Sequence, residues 1–167
     1  VTLGGAAGAT FADSITTTAD GSGILAFGAY HTINTANIGT SANKLSALNL
    51  APAATITVNN INSTATATDG IFAGSINMTN DSIFRVAGEA MILASPLNGA
   101  SSGNGTLEFA GGPHTATSVI GSANALSSIN VADNALETRA WLTSININIA
   151  GAGLNATTAN QTYTGAI

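Results

Sequence analysis

The sequence predicts an all-β protein and, within that class, a segment of right-handed parallel β-helix, also called a β-solenoid. Three observations lead to this prediction: short runs rich in β-branched residues, turn-forming residues between those runs, and a long internal repeat. A β-sandwich or jelly-roll subunit that exchanges a strand with its neighbour is the alternative that the strand pattern leaves open. The chain of 167 residues is long enough to bury a core, and we expect 1–167 to be a single all-β domain or a fragment of a larger protein.

Five runs carry the strand signal, because each is short, rich in β-branched residues and partly alternating. In chain order they are 23–30 (GILAFGAY), 54–60 (ATITVNN), 82–86 (SIFRV), 126–131 (LSSINV) and 144–150 (SININIA). The alternation is clearest in the last run, where we expect Ile145, Ile147 and Ile149 to point to one face. Stretches between the runs, such as 97–105 (LNGASSGNG), have the composition of turns. A helix is compatible with 41–51, but its Ser and Asn residues favour a turn leading into a strand.

The internal repeat places a copy of about 21–60 at about 103–142. The aligned residues are Gly23 and Gly105, Leu25 and Leu107, Phe27 and Phe109, His31 and His114, Thr32 and Thr115, Ile38-Gly39 and Ile120-Gly121, and then Leu45, Leu48, Asn49 and Leu50 with Leu126, Ile129, Asn130 and Val131. Both copies carry strand and turn residues and neither carries a catalytic cluster, so the repeat predicts a structural unit. In a β-solenoid such units stack, with parallel pairing between coils around a narrow interior suited to Ala, with Ile, Leu and Val at its corners.

Asparagine follows an apolar residue at Leu48-Asn49, Ile76-Asn77 and Ile129-Asn130. An Asn side chain carries both a donor and an acceptor, so equivalent Asn residues of neighbouring coils can hydrogen-bond to one another in a ladder. The alternative is that these Asn residues only occupy turns.

Charged residues make up 7% of the chain, against roughly 25% in an ordinary soluble domain. Lys44, Arg85 and Arg139 are its only Lys and Arg residues. Nucleic-acid binding requires clustered cations, so we expect no nucleic-acid partner, and an anionic membrane surface is disfavoured for the same reason. The sequence has no cysteine, which excludes disulfides and thiolate chemistry.

His31 and His114 are the first candidates for chemistry, as general bases or metal ligands. No His, Asp or Glu lies close to the histidine in both copies, so packing or turn capping is the favoured role. Gly99, Ser101 and Gly103 match the pattern G-x-S-x-G, but their flanks lack the strand and helix of a nucleophile elbow.

Oxygen-rich stretches at 20–23 (DGSG) and 80–82 (NDS) are candidates for calcium, but Asx-turns explain them better. The Gly-rich 3–9 (LGGAAGA) lacks the Lys of a phosphate-binding loop. Tyr30 and Trp141 are candidate partner anchors, with core packing as the alternative for the Trp. We therefore predict no catalytic, cofactor-binding or metal-binding residues, no cofactor and no small-molecule substrate.

The two copies of the repeat resemble the passenger regions of rickettsial outer-membrane autotransporters, the surface cell antigen family. The first copy reads GILAF…HTINTANIGTSANKLSALNL…ATITVNN, and the second reads GTLEF…HTATSVIGSANALSSINV. The likeness covers about 21–149 and is strongest to the outer-membrane protein B type, although other Thr/Asn/Gly-rich bacterial surface proteins share the style. The resemblance implies a β-helical passenger fragment, exported to the extracellular surface of a bacterial cell and acting in adhesion or surface coating. It supplies no catalytic residues.

Three functions follow from these observations. The leading one is a non-enzymatic structural or adhesive surface protein that meets a receptor on a host or neighbouring cell. The second is a self-assembling subunit of an extracellular filament or surface layer held by β-strand complementation; the chain begins at Val1 rather than Met, as a processed subunit would. The third is an enzyme on a β-helix, such as a polysaccharide lyase, which the scarcity of cations disfavours. We predict that the chain is not an enzyme.

Overall fold

The computed structural model describes residues 2–3, 8–35, 37–60, 69–132, 136–138, 142–150, 154–156 and 163–166. Within these ranges the chain is all-β, as predicted, and contains no helix. Every strand pairing there is parallel. Sandwiches and jelly rolls are built from antiparallel pairs, and the described part of the chain contains none. None of the described residues belongs to a helix long and apolar enough to cross a membrane.

The strands are short, and turns separate them. The first ten are β1 (Thr2–Leu3), β2 (Ala9–Phe11), β3 (Ser22–Phe27), β4 (His31–Asn34), β5 (Asn37–Ile38), β6 (Leu45–Leu50), β7 (Thr55–Asn60), β8 (Gly70–Ile71), β9 (Ile76–Met78) and β10 (Ile83–Gly88). The others are β11 (Ile92–Leu93), β12 (Leu97–Gly99), β13 (Thr106–Phe109), β14 (His114–Ala116), β15 (Leu126–Val131), β16 (Leu136–Thr138), β17 (Leu142–Ile149), β18 (Leu154–Ala156) and β19 (Tyr163–Ala166). The five runs singled out in the sequence all contribute to strands, and 41–44 forms a turn before β6, as predicted.

The strands form three parallel sheets, and the chain passes through the sheets in turn. Sheet 1 has the order β1-β3-β6-β9-β12, sheet 2 the order β19-β17-β15-β13-β10-β7-β4-β2, and sheet 3 the order β18-β16-β14-β11-β8-β5. Single bridges extend sheet 1 beyond β12, because Leu97 pairs with Ile120 and Ile120 pairs with Leu142. Neighbouring strands of one sheet are therefore separated in sequence by one or more strands of the other sheets.

One circuit of the chain through the three sheets takes about 22 residues. Thr106 and Ser128 are 22 residues apart, lie side by side in β13 and β15, and form a hydrogen bond of 3.1 Å between their hydroxyl groups. The circuit is longer between Asn49 and Asn77, which are 28 residues apart. It is shorter between Asn130 and Asn148, which are 18 residues apart. Circuit length therefore varies while the pairing of the sheets is maintained.

Buried apolar side chains stack in columns along the inner surfaces of the sheets. One column of sheet 2 contains Ile56, Phe84, Leu107, Ile129 and Ile147. The corresponding column of sheet 1 contains Leu25, Leu48, Ile76, Leu97, Ile120 and Leu142. Each of these side chains is at most 3% exposed. Burial of one such side chain contributes roughly 1.5–3 kcal/mol, so the columns supply much of the favourable free energy of folding. Buried alanines are present as expected, for example Ala54 and Ala116, but larger Ile, Leu and Phe side chains form these columns.

The last long strand departs from its predicted alternation. Ile147 is 1% exposed, and Ile149 pairs with Val131 of β15. Ile145, however, is 54% exposed and faces outward. Ser144 is buried in its place at 4% exposure. The same change of phase occurs in β15, where Leu126 and Ile129 are both fully buried although they are three residues apart, and these two residues pair with Ser144 and Ile147. The prediction that the three isoleucines share one face is therefore wrong for Ile145.

This strand offers a matched pair of substitutions. We expect Ile147→Ala to lower the free energy of unfolding by roughly 2–4 kcal/mol, because it leaves a cavity in an inner column. Ile145→Ala removes the same atoms from a side chain that is 54% exposed, and we expect a loss of at most about 0.5 kcal/mol. Urea unfolding followed by circular dichroism measures both. Equal losses for the two variants would contradict the assignment of inner and outer residues in β17.

The two copies of the repeat occupy different sheets. Strands β3, β4 and β5 of the first copy lie in sheets 1, 2 and 3. Their counterparts β13, β14 and Ile120 lie in sheets 2, 3 and 1. Local geometry is nevertheless retained, since φ is +79° at both Gly23 and Gly105, and +70° and +72° at Gly39 and Gly121. The repeated sequence therefore specifies strand and turn geometry, and it does not specify which sheet a strand joins.

Candidate functional site

The outer face of sheet 2 carries a continuous line of polar side chains, called here the polar column. Its members are in register from one circuit to the next and are Thr10, Thr32, Thr57, Arg85, Glu108, Asn130 and Asn148. The strands turn these side chains outward because their neighbours point inward, as with Thr57 between the fully buried Ile56 and Val58. The alternation predicted for 55–58 is thus confirmed. Sheet 2 is the longest of the three sheets, so the polar column is the longest regular outer feature in the described ranges.

Hydrogen bonds connect three members of the polar column, Glu108, Asn130 and Asn148, in one direction. The Nδ2 of Asn148 donates to Oδ1 of Asn130 at 2.7 Å, and the Nδ2 of Asn130 donates to Oε1 of Glu108 at 3.4 Å. The other carboxylate oxygen of Glu108 lies 3.9 Å from Nε of Arg85. A carboxylate only accepts hydrogen bonds, so Glu108 sets the orientation of both amides beyond it. The ion pair itself is largely exposed and contributes at most about 1 kcal/mol.

Further Asn pairs bridge neighbouring circuits, as the sequence predicted. The Nδ2 of Asn77 donates to Oδ1 of Asn49 at 2.8 Å on sheet 1, and the Nδ2 of Asn59 donates to Oδ1 of Asn34 at 3.2 Å on sheet 2. Asn98 is in register with Asn77, but its Oδ1 accepts from the backbone N–H of Ala123 instead. The Asn ladder is therefore confirmed at Asn49 and Asn77, and at Asn130 through Asn148.

The outer faces can therefore offer many hydroxyl and amide groups to a partner and few charges. Regular spacing of about 4.8 Å between strands makes such a face flat and periodic. A partner would be recognised through numerous weak polar contacts, each of which costs little desolvation because the groups are neutral. The same chemistry suits broad, multivalent contacts better than capture of one small molecule.

Large apolar side chains interrupt this polar exterior at a few places in the described ranges. The most exposed are Ile24, Tyr30, Ile145 and Ile149, at 50%, 47%, 54% and 38%. Tyr30 is accessible, as a partner anchor must be, whereas Trp141 and Arg139 lie outside the described residues. Sequence reasoning missed Ile24, although its neighbour Leu25 is buried and simple alternation along β3 would have placed it outside.

The structure places the two candidate histidines in the interior and in different sheets. His31 begins β4 in sheet 2, is 1% exposed, and lies with its ring centre 5.7 Å from that of Phe11 and 6.1 Å from that of Phe27. His114 begins β14 in sheet 3, is 2% exposed, and lies 6.0 Å from the ring of Phe109. Each histidine thus packs against the Phe of its own repeat copy, which agrees with the packing role favoured by the sequence.

Hydrogen bonds define the protonation state of His114. Its Nε2 lies 2.9 Å from the carbonyl oxygen of Ala110, which only accepts, so Nε2 carries the proton. Its Nδ1 accepts from the backbone N–H of Met91 at 3.3 Å, so Nδ1 carries none. Burial lowers the pKa of His114 below its ordinary value of 6.5, although the hydrogen bond to Ala110 opposes this change. The folded chain therefore holds His114 as a neutral imidazole.

This burial predicts a loss of stability in acid. Unfolding releases His114 to its ordinary pKa of 6.5, so the unfolded chain binds a proton below that pH while the folded chain does not. The contribution is fully present above pH 6.5 and is lost as the pH falls from there towards the lowered pKa. We expect the difference in unfolding free energy between the unsubstituted chain and His114→Gln to shrink over this range. A constant difference in urea titrations from neutral to acid pH would disprove the effect.

The remaining candidates from the sequence have structural roles. Ser101 and Gly103 lie in the turn after β12, and no helix follows them, so the nucleophile-elbow geometry is absent there. Oδ1 of Asp20 accepts from the backbone N–H of Lys44 at 2.9 Å, which joins two circuits and is not the predicted Asx-turn. Asp81 has a positive φ of 56° and accepts from the side chain of Asn80. Among the described residues, no group of three or more His, Cys, Asp or Glu side chains is arranged to hold a metal ion. Most of 3–9 lies outside the described residues.

Comparisons with known protein families, with curated protein sequences and with solved structures found no match to this chain.

Proposed function

We propose that the chain is a segment of right-handed parallel β-helix that serves as a non-enzymatic structural and adhesive element on the outside of a bacterial cell. The observation that carries this proposal is the combination of unbroken inner apolar columns with outer faces that are polar and nearly uncharged. Parallel strands joined by crossovers are right-handed in about 98% of cases, which supports the handedness. The resemblance to autotransporter passengers supports the bacterial cell surface as its location.

A stack of this kind suits a stiff spacer or coat. Each circuit contacts only the circuits before and after it, so a rod lengthens by adding circuits without changing its cross-section. Pairing on both sides satisfies the backbone groups of every inner strand, which leaves few sites for proteases. Binding to a receptor on a host or neighbouring cell would use the broad polar faces, with the polar column as the leading candidate.

Self-assembly into a filament or surface layer is the second candidate. Strands β2 and β19 are the end strands of sheet 2, and among the described strands each pairs on one side only. Unpaired strand edges are templates for another chain, so a second copy could continue the stack through backbone hydrogen bonds.

An adhesion assay with coated beads tests the first candidate. We expect beads coated with the chain to bind cultured host cells or bacterial cells saturably. The variant Thr32→Ala/Thr57→Ala/Asn130→Ala removes polar groups from the polar column, and it should bind less. The variant Asn49→Ala/Asn77→Ala makes comparable changes on sheet 1 and is the matched control. Adhesion no higher than that of uncoated beads would overturn the adhesive role.

Electron microscopy of the purified chain distinguishes the second candidate. Filaments or lattices that lengthen with protein concentration would favour self-assembly, and isolated short rods would favour the adhesive spacer. Release of products from acidic or neutral polysaccharides would overturn both, because it would show an enzyme.

A further inference from the structure

The dipeptide Asn-Gly occurs twice in the chain, at Asn98-Gly99 and at Asn104-Gly105. In such a pair the backbone nitrogen of the glycine can attack Cγ of the Asn side chain, because glycine has no Cβ to obstruct the approach. The product is a cyclic imide, a succinimide. The two pairs have different surroundings in the structure, and we propose that Asn104 is a site of spontaneous self-modification while Asn98 is protected.

Asn98 is held in place by hydrogen bonds to a later circuit. It lies in β12, and its Oδ1 accepts from the backbone N–H of Ala123 at 2.9 Å. The N–H of Gly99 donates to the carbonyl oxygen of Asn124 at 3.3 Å. The backbone nitrogen that would have to attack is therefore engaged in a hydrogen bond, and ring closure at Asn98 requires its release by local opening of the structure.

Asn104 lies in the turn that connects β12 to β13. Its own N–H donates to the carbonyl oxygen of Ser101 at 3.1 Å, which closes the turn. The carbonyl oxygen of Gly105 accepts from Ser127 at 3.0 Å, whereas the Gly105 N–H donates to no group in the described part of the chain. The attacking nitrogen is therefore available without the loss of a hydrogen bond, unlike that of Gly99.

The same turn also activates the group that is attacked. The backbone N–H of Ser101 donates to Oδ1 of Asn104 at 3.2 Å. Negative charge develops on this oxygen when the nitrogen adds to Cγ, and an N–H already directed at the oxygen stabilises that charge. The turn thus combines a nitrogen that donates to no group in the described part of the chain with a donor for the developing oxyanion.

The reaction needs only water. The bond from N of Gly105 to Cγ of Asn104 forms, the bond from Cγ to Nδ2 breaks, and the proton of the Gly105 N–H leaves with Nδ2 as ammonia. Water then adds to one of the two imide carbonyls and opens the ring to aspartate or isoaspartate. Either product replaces a neutral amide by a carboxylate at the corner between sheets 1 and 2, and isoaspartate also lengthens the backbone by a methylene.

Peptide mapping by mass spectrometry tests this proposal on the full chain. The folded chain is incubated at mildly alkaline pH and physiological temperature, and the replacement of NH2 by OH is followed at both Asn residues, with isoaspartate measured by methyltransferase labelling. We expect Asn104 to convert at least about tenfold faster than Asn98, because Asn98 reacts only through local opening. In urea both sites lie in an unfolded Asn-Gly pair and should convert at similar rates.

Substitutions at Ser101 separate the role of the turn from that of the dipeptide. Ser101→Pro removes the N–H donor and should slow conversion at Asn104 several-fold, while Ser101→Ala keeps the N–H and should leave the rate unchanged. Circular dichroism checks that both variants are folded. The proposal is overturned if Asn98 and Asn104 convert equally fast in the folded chain, or if Asn104 does not convert there while the unfolded chain does.

Discussion

Gly121→Ala is expected to lower the free energy of unfolding by about 3–5 kcal/mol, a large part of the stability of an ordinary domain. The backbone at Gly121 has φ of +72°, a left-handed conformation that costs an alanine roughly 1–2 kcal/mol. A Cβ at this position would also overlap the carbonyl oxygen of Thr143 in the next circuit. That oxygen belongs to the backbone and cannot move without disturbing the pairing of the circuits.

Gly21→Ala is the matched control for this substitution. Gly21 has a similar φ of +67°, but an added Cβ would meet no atom within 4 Å. We therefore expect a loss of about 1–2 kcal/mol, from the backbone conformation alone. Urea unfolding followed by circular dichroism measures both variants. Equal losses at Gly21 and Gly121 would show that close approach between circuits does not matter.

Gly39→Ala extends the comparison to the other copy of the repeat. An added Cβ at Gly39 would overlap the carbonyl oxygen of Phe72, just as one at Gly121 would overlap that of Thr143. The two glycines lie at different sheets, yet we expect them to be equally intolerant of alanine. This result would show that both copies of the repeated sequence preserve the same contact between circuits, although the copies lie in different sheets.

Phe84→Ala is expected to cost about 3–5 kcal/mol, the range for truncation of a buried aromatic side chain. Phe84 is fully buried and stacks between Ile56 and Leu107 in the inner column of sheet 2. Its removal leaves a cavity with a circuit on either side, and the strands cannot close over it without breaking their register. Thermal and urea unfolding, followed by circular dichroism, measure the loss.

Two control substitutions test whether the loss comes from the cavity at Phe84 rather than from any change at that position or in that strand. Phe84→Leu keeps the site apolar, as at Leu107 in the next circuit, and should cost roughly 1 kcal/mol. Arg85→Ala lies on the outer face of the same strand, where the side chain is 46% exposed, and should cost at most about 1 kcal/mol. If Phe84→Ala were no more damaging than Arg85→Ala, the inner column would not be the source of stability.

Some features of the outer faces follow from the sequence and others require the register. The Asn ladder was predictable because Asn follows an apolar residue at equivalent points of several strands. The chain of contacts from Arg85 through Glu108 to Asn130 was not predictable. Its members are more than 20 residues apart, and nothing local to each of them indicates which circuits lie side by side.

Local conformation was determined by the sequence alone. Alternation placed Ile56 and Val58 inside, and glycines marked the left-handed positions at Gly39 and Gly121, because period-two patterning and φ preferences act within a few residues. Ile145 shows the limit of this reasoning, since β17 follows the register of β15, whose buried Leu126 and Ile129 do not alternate.

Only the tertiary structure decided which sheet each strand joins. The two copies of the repeat have the same local geometry but lie one sheet apart, because the sheet that a strand reaches depends on the summed length of all circuits before it. Those circuits vary from 18 to 28 residues between bonded Asn pairs, so the sum cannot be read from any one segment. The sequence therefore set the conformation of each strand and turn, and packing between circuits set their positions in the stack.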